Sequence, residues 1–250
     1  MTNHHWKFSV NALREGLGVS HFLLLNDFTA LALSLIRLPE SQKRQIGSGT
    51  ATPNAAIGLI GPGTGLGVSG LFPVGYQNKW IPIAGEGGHV SLTATTEHEF
   101  AAIQQLQKRY GHVSAERVIS GAGLVDLYHA LCDLKDGQGR EITTPAEVLE
   151  RAQEVPTSTA NEALDMFCGF LGSVAGDLAL TLGARGGIYI GGGIVPRLGE
   201  RFDASPFRER FEAKGRFKKY LQDVPTWVIH SPVSPALQGA SQALSLTQWQ

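Results

Sequence analysis

Asn26 and Asp27 are the first candidate catalytic residues along the chain. They follow the apolar run 21–25, which predicts a buried strand, and precede the apolar run 28–38, which predicts a buried helix. Ligands of open α/β sheets bind at the carboxyl ends of strands, where an Asp can accept a proton from a hydroxyl nucleophile and an Asn can orient that hydroxyl. An equally good interpretation is that Asp27 only caps the following helix.

A glycine-rich segment at residues 61–67 could bind phosphate, because its backbone N–H groups and the Thr64 hydroxyl are suited to wrapping phosphate oxygens. The apolar runs 55–60 and 68–74 on either side predict a β-hairpin. The segment lacks the Gly-Lys-Ser/Thr of a P-loop, and the GxGxxG match at 65–70 precedes a strand, whereas a dinucleotide site needs a helix there. A phosphate-binding hairpin is favoured over a plain tight turn.

Glu86 and His89 share one glycine-rich segment, residues 85–89. A carboxylate accepts hydrogen bonds from hydroxyls and a neutral imidazole both donates and accepts, so the pair suits a polyhydroxy ligand. Two residues are too few for a metal site, and the sequence supplies no further ligands nearby. His89 could equally be structural. Glu116 follows Ser114, a candidate helix cap, and a favourable interaction with the helix dipole is its first explanation.

Another glycine group, residues 191–193, follows the apolar run 187–190, which predicts a central strand. Glycines at this place leave room for a flat ring or a ribose against the backbone. Close packing between the strand and the helix expected at Pro196 explains them equally well.

Apolar periodicity and helix-capping residues predict the helices and strands that hold these side chains. Helices are predicted over 97–110 and 236–246, and short strands over 80–83 and 227–230. The longest helix is expected to begin at Thr159, with Glu162 completing a capping box, and to end at Gly183. Ser120 is a further candidate cap, and the polar residues 40–54 form a connection. Helices alternate with strands around one hairpin, so the fold class is α/β, a mixed sheet covered by helices.

Bulk properties exclude several classes of protein. A net charge of −1 argues against an electrostatic binder of nucleic acid or of a membrane surface, and no apolar run approaches the roughly 18–20 residues that span a bilayer. Cys132 and Cys168 lie far apart in apolar helical stretches, which predicts buried thiols and a cytoplasmic protein. The basic residues within 208–219 are interpreted as a solvated helix face and not as an anion-binding surface. The sequence leaves open whether the protein forms a homodimer.

The order of the segments is more specific than any one of them. Bacterial glucokinases carry similar segments in the same order as LLNDFTA (24–30), GPGTGLGV (61–68), GEGGHV (85–90), HVSAERVISGAGL (112–124) and GGIYIGGGIVPR (186–197). The similarity extends over essentially all 250 residues through MTNHHWKFS at the start and FEAKGRFKKY at 211–220. The chain therefore resembles the bacterial glucokinase family.

The resemblance implies an actin-like, hexokinase-type (ribonuclease H-like) fold of two α/β domains, and the ATP-dependent phosphorylation of glucose at its 6-hydroxyl. It implies that Asp27 is the catalytic base, and that the other sugar hydroxyls bind Asn26, Glu86, His89 and Glu116. The phosphate loop would consist of Gly61, Gly63, Thr64 and Gly65, and the adenosine pocket would be lined by Gly191, Gly192 and Gly193. Mg²⁺ would arrive with ATP and bridge phosphate oxygens, with no resident metal site.

The sequence departs from the family in one respect. The family carries an Asp-x-Gly-Gly-Thr-Asn segment in its smaller domain, where it contacts ATP phosphates and Mg²⁺, and this sequence contains no such motif. We therefore expect an incomplete smaller N-terminal domain, residues 1–38 joined by 231–250, and a large domain over 39–230.

The departure leaves two alternatives to a fully active kinase. One is a truncated, catalytically impaired fragment that binds sugar. Exposed sheet edges and apolar helix faces would make this fragment poorly soluble or weakly active when expressed alone. The other is that the native protein is longer.

Overall fold

The computed structural model describes residues 7–75, 79–135, 137, 140–231 and 233–246, without the side chains of 245 and 246. Residues 1–6, which belong to the opening segment of the family resemblance, lie outside the described residues. The described strands are β1 (Lys43–Ile46), β2 (Ile57–Pro62), β3 (Leu66–Val74), β4 (Lys79–Ala84), β5 (Ile188–Ile190) and β6 (Thr226–Ile229). The described α-helices are α1 (Val10–Gly16), α2 (Asp27–Ser34), α3 (Glu97–Tyr110), α4 (Gly121–Lys135), α5 (Pro145–Glu154), α6 (Thr159–Leu182), α7 (Val195–Leu198), α8 (Glu200–Asp203), α9 (Phe207–Glu212), α10 (Lys218–Gln222) and α11 (Ala236–Leu246).

All six described strands form one mixed sheet in the order β1-β6-β5-β2-β3-β4. The central strands β2, β5 and β6 run parallel, while β3, β4 and β1 are antiparallel to their neighbours. The predicted hairpin is confirmed, with Pro62 opposite Leu66 at its closed end. The carboxyl ends of β2 and β5 therefore meet at the edge of the sheet where the glycine segments lie.

Helices cover both faces of the sheet, which confirms the predicted α/β class. Alternate residues of a strand point to opposite faces. In β2, accordingly, Ile60 packs into the larger core with α4 and α6, whereas Leu59 packs into the smaller core beneath α2 and α11. The division into a small domain, residues 1–38 with 231–250, and a large domain over 39–230 stays a prediction.

Helix α6 is the central helix of the larger core. The cap is one residue earlier than predicted: the Ser158 side chain accepts the Asn161 N–H at 3.2 Å, and Thr159 is the first helical residue. Gly183 ends the helix in the left-handed conformation, as expected. Helix α6 is long and apolar enough to cross a membrane, contrary to the expectation that no apolar run approaches that length. A membrane-length core helix is common in globular proteins, and 72% of the relevant window is buried inside the protein.

The prediction that both cysteine thiols are buried is confirmed, whereas the basic segment differs from its prediction. Cys132 in α4 and Cys168 in α6 are buried free thiols. The basic residues of 208–219 do not form one solvated face. Arg208 donates to the carbonyl groups of Leu221 and Val224, and Arg210 pairs with the buried carboxylate of Glu99. These guanidinium groups tie α9 to its neighbours.

Three sequence predictions are wrong or incomplete. Residues 21–25 do not form a strand, because an apolar run needs a neighbouring strand to bond with and the described sheet offers none beside it. Ser114 lies in an isolated bridge with Ser91 and caps no helix, whereas Ser120 does cap α4 by accepting the Gly123 N–H. The polar connection 40–54 contains β1, which its charged residues concealed.

Candidate functional site

A cavity of about 440 Å³ opens at the carboxyl end of β2. Its wall includes all five polar side chains that the sequence analysis assigned to a sugar: Asn26, Asp27, Glu86, His89 and Glu116. The wall also includes the β2–β3 hairpin, with Gly61 at the end of β2 and Gly63, Thr64 and Gly65 in the turn. Residues from Asn26 to Gly192 in the chain are thus brought to one site.

The start of α2 orients the first two polar side chains. Asn26 is the helix N-cap, and its Oδ1 accepts the N–H groups of Phe28 at 2.8 Å and Thr29 at 3.3 Å. The interpretation of Asp27 as the cap is therefore wrong. Asp27 is the first helical residue, and its Oδ1 accepts the Phe28 N–H at 2.9 Å. Both side chains are exposed to the cavity, and Oδ2 of Asp27 accepts no bond from another described residue.

Glu86, His89 and Glu116 are held by two chain segments bonded to each other. The Glu116 N–H donates to the Gly88 carbonyl at 2.8 Å, and the Ala115 N–H donates to the Val90 carbonyl at 2.8 Å. The His89 N–H donates to the Glu86 carbonyl at 3.0 Å within a short 3-10 turn. Glu116 consequently lies in an irregular segment, and its explanation by a helix dipole is wrong.

The Glu116 carboxylate faces both the hairpin and the glycine-rich segment 85–89. Its Oε2 accepts the backbone N–H of Leu66 at 2.8 Å. Its Oε1 lies 4.0 Å from Nδ1 of His89, which is too long for a hydrogen bond. Oε1 of Glu116 and Nδ1 of His89 can therefore each form a hydrogen bond with a ligand placed between them. The side chain of Glu116 is 32% exposed.

The hairpin turn presents polar backbone to the cavity. The Gly63 N–H donates to the Gly65 carbonyl at 2.8 Å, and the Gly63 carbonyl accepts the Gly121 N–H at the start of α4 at 2.9 Å. Within the described chain, the N–H groups of Thr64 and Gly65 and the Thr64 hydroxyl donate to no other residue. This arrangement leaves a cluster of donors for anionic oxygens.

Gly191, Gly192 and Gly193 line a second cavity of about 610 Å³, and Gly192 also lines the first. The two interpretations of these glycines apply to different members. A Cβ on Gly192, which has φ +79°, would lie 2.2 Å from the Pro62 carbonyl oxygen, so close packing requires this glycine. Nothing lies within 4 Å of a Cβ on Gly193, where the backbone is open to a ligand.

The second cavity includes two ionisable side chains to which the sequence assigned no role, Arg197 and His230. Nε2 of His230 accepts a hydrogen bond from Nε of Arg44 at 3.2 Å, so the proton of a neutral ring sits on Nδ1. His230 follows β6 directly. The rule that pointed to Asp27, a polar residue at the carboxyl end of a strand, could have found it.

The described residues contain no group of three or more His, Cys, Asp or Glu side chains arranged to hold a metal ion. The three carboxylates of the first cavity come from separate segments, and Oε2 of Glu116 is already bonded to the hairpin.

Comparisons with known proteins place this site in context. The sequence model of the family described as glucokinase matches residues 1–247. A glucokinase of Chromobacterium violaceum is 53% identical over 245 residues, which cover 98% of this chain and 69% of that protein. A bifunctional protein glk of Paraburkholderia xenovorans is 49% identical over 245 residues, which cover 98% of this chain and 38% of the relative.

Solved structures show the same fold. The crystal structure of a glucokinase from an Antarctic psychrotroph superposes with a TM-score of 0.87 at 35% identity, covering 98% of this chain and 75% of that one. A ROK family glucokinase from Streptomyces griseus, solved with glucose and AMPPNP, superposes with a TM-score of 0.61 at 18% identity, covering 94% of this chain and 71% of that one. At this identity the likeness shows the fold alone, and it agrees with the hexokinase-type architecture expected from the sequence.

Proposed function

The chain belongs to the glucokinase family, and we propose that it is an enzyme that transfers the terminal phosphoryl group of ATP to the 6-hydroxyl of glucose, giving glucose 6-phosphate and ADP. One observation carries the proposal. A single cavity joins a set of acceptor and donor side chains suited to a sugar with a hairpin of unbonded N–H groups suited to phosphate.

Hydrogen bonds within the protein already occupy some polar atoms on the sugar side of the cavity, and they limit which atoms of each residue can bind the sugar. Oδ1 of Asn26 is occupied by the cap of α2, so the side chain turns its Nδ2 donor to a hydroxyl oxygen. Glu116 offers Oε1, because its Oε2 holds the Leu66 N–H. Glu86 accepts further hydroxyl protons, while His89 donates or accepts according to its tautomer. The mixture of donors and acceptors discriminates among the hydroxyls of a hexose.

Asp27 is the proposed catalytic base. Its carboxylate is exposed to the cavity with Oδ2 unbonded among the described residues, and the Phe28 N–H holds its Oδ1. Removal of the 6-hydroxyl proton as the oxygen attacks phosphorus is the usual task of a kinase Asp, and positioning contributes most of the rate.

The phosphate side consists of the hairpin turn and the glycines after β5. The N–H groups of Thr64 and Gly65 and the Thr64 hydroxyl donate to phosphate oxygens. The second cavity, beside Gly193, receives the adenosine. Mg²⁺ comes as part of the nucleotide substrate, bound by phosphate oxygens, and neutralises their charge. We place the enzyme in the cytoplasm, where both substrates occur.

The test is ADP release in the presence of glucose by the wild-type chain and by Asp27→Ala. We expect the variant to lose about 10²-fold or more in kcat, because it lacks the base, while glucose still binds by calorimetry. As a substrate control, 6-deoxyglucose should bind without releasing ADP, since it lacks the accepting hydroxyl. Asp223→Asn serves as a matched control, because that exposed carboxylate pairs with Lys219 at the surface.

The outcomes separate the main proposal from its alternative. Near-normal turnover by Asp27→Ala would show that the base is misassigned. Glucose binding without turnover by the wild-type chain would select the catalytically impaired sugar-binding fragment. ADP release that does not depend on glucose would contradict both.

A further inference from the structure

We propose that Phe28 is a positioning residue, which sets the catalytic base against the phosphate-binding hairpin. The inference rests on the function proposed above and assigns a residue that the sugar and phosphate roles leave unexplained. Phe28 lines the first cavity, is half-buried, and packs against the smaller core.

The backbone of Phe28 orients both polar residues before it. Its single N–H group is shared between Oδ1 of Asn26 at 2.8 Å and Oδ1 of Asp27 at 2.9 Å. The direction of the Asp27 carboxylate therefore depends on where the backbone of Phe28 lies. A shift of Phe28 turns the Asp27 carboxylate, whereas Asn26 keeps its second cap bond from the Thr29 N–H at 3.3 Å.

The ring of Phe28 lies directly on the hairpin. A Cβ on Gly67 would fall 2.1 Å from Cδ2 and 2.2 Å from Cε2 of the ring, and a Cβ on Gly61 would fall 2.6 Å from Cζ. Gly61 and Gly67 are opposite each other in the β2–β3 register. The ring thus covers one cross-strand pair, and only glycine at both members lets it approach so closely.

A Cβ on Gly61 would also lie 2.8 Å from the carbonyl carbon of Gly191, but Gly61 and Gly67 both make room for the aromatic ring. The contact fixes the distance between the α2 N-terminus, which carries the base, and the turn two residues beyond Gly61, which would hold the transferred phosphoryl group. Displacements of about 1 Å between reacting groups can cost on the order of 10²-fold in rate. Phe28 acts through Asp27 and touches no reacting atom in this scheme.

The experiment compares two single variants and their combination: one removes side-chain volume at Phe28, and the other adds side-chain volume at Gly67. In Phe28→Leu the contact is lost, and in Gly67→Ala the new methyl group pushes the ring away. We expect each variant to lower kcat by about 10-fold or more, while the calorimetric Kd for glucose changes less than about 3-fold. The double variant should recover at least half of the lost kcat, because the smaller side chain makes room for the methyl group. Gly67 has no positive φ, so alanine fits its backbone.

Matched controls test for general damage. Phe100→Leu changes a phenylalanine that is 56% exposed on α3, and Gly16→Ala adds a methyl group where nothing lies within 4 Å. Both should retain wild-type kcat. Thermal unfolding of every variant shows whether it is folded, and kcat is compared among folded variants; Phe28→Met replaces Phe28→Leu if the latter does not fold.

Several results would overturn the inference. These are additive losses in the double variant, an unchanged kcat in either single variant, or equal losses in kcat and glucose affinity. The proposed function itself fails only if the wild-type chain releases no ADP with glucose or if Asp27→Ala stays active. The two failures are therefore distinguishable.

Discussion

Glu116 accepts the backbone N–H of Leu66 at 2.8 Å, across 50 positions of sequence. The bond joins a carboxylate of the proposed sugar site to the first residue of β3, immediately after the turn that would bind phosphate. A hydrogen bond to a charged acceptor contributes about 1.5–3 kcal/mol. We therefore predict that sugar binding and the geometry of the hairpin are coupled through the Glu116 side chain.

Replacing Glu116 should affect both sides of the cavity. Glu116→Ala removes the acceptor of the Leu66 N–H and one sugar contact, and we expect the KM for glucose to rise about 10-fold or more and kcat to fall. Glu116→Gln keeps an amide oxygen for Leu66 and should be milder in kcat. Steady-state kinetics in glucose and in ATP measure both effects. Glu150→Ala, at an exposed position of α5, is the control, and an unchanged glucose KM in Glu116→Ala would refute the coupling.

Gly65→Ala should reproduce the loss at Glu116 without removing the carboxylate. A Cβ on Gly65 would lie 2.4 Å from Oε2 of Glu116, so the side chain must leave the Leu66 N–H. We expect a raised glucose KM and little further loss when Gly65→Ala is combined with Glu116→Ala. A double-mutant cycle measures the coupling. Fully additive effects would mean that the methyl group acts elsewhere.

The buried pair of Glu99 and Arg210 should control stability at low pH. Burial by itself raises the pKa of Glu99, but hydrogen bonds from Arg210 and from the Thr95 N–H outweigh it and leave the pKa below its usual value. A lowered folded-state pKa adds stability above the unfolded pKa of about 4.5, and this stability is lost as the pH falls through the folded value.

We therefore expect Glu99→Gln to reduce the free energy of unfolding by about 3 kcal/mol at neutral pH, with a smaller deficit at pH 3. Urea unfolding at several pH values measures the difference. Glu97→Gln, an exposed neighbour in the first turn of α3, should change stability little. An equal deficit at every pH would contradict the role of ionised Glu99.

The two cysteines should resist thiol reagents in the folded protein. Burial raises the pKa of Cys168 to about 12, and burial also raises the pKa of Cys132. The thiolate, which is the reactive form, is therefore scarce at pH 8. Titration with a chromogenic disulfide should show no fast reaction in buffer and two reactive thiols in denaturant. One fast equivalent in buffer would show that a helix opens locally.

Much of the local structure of this protein could be predicted from its sequence alone. The glycine hairpin at 61–67, the Ser120 cap of α4, the end of α6 at Gly183 and the alternation of helices and strands depend on neighbours within a few positions, so residue type and spacing suffice to predict them. The family resemblance was also readable, because it rests on the order of short segments.

The family resemblance grouped the five polar residues of the cavity, but the contacts that each one makes there follow only from the tertiary structure. Strands β1–β4 separate Asp27 from Glu86 in the chain, and Glu116 reaches the same cavity through the bond from its N–H to the Gly88 carbonyl. No local pattern encodes these contacts. The strand predicted at 21–25 does not form for a related reason, since hydrogen bonding in a sheet needs a partner strand from elsewhere in the chain.

The hairpin glycines show most clearly which structural roles cannot be predicted from residue type and spacing. All four glycines of 61–67 look alike in the sequence, yet Gly61 and Gly67 make room for a ring, Gly65 makes room for a carboxylate, and Gly63 faces open space. What a missing side chain permits depends on the atoms opposite it, and those atoms come from distant parts of the chain.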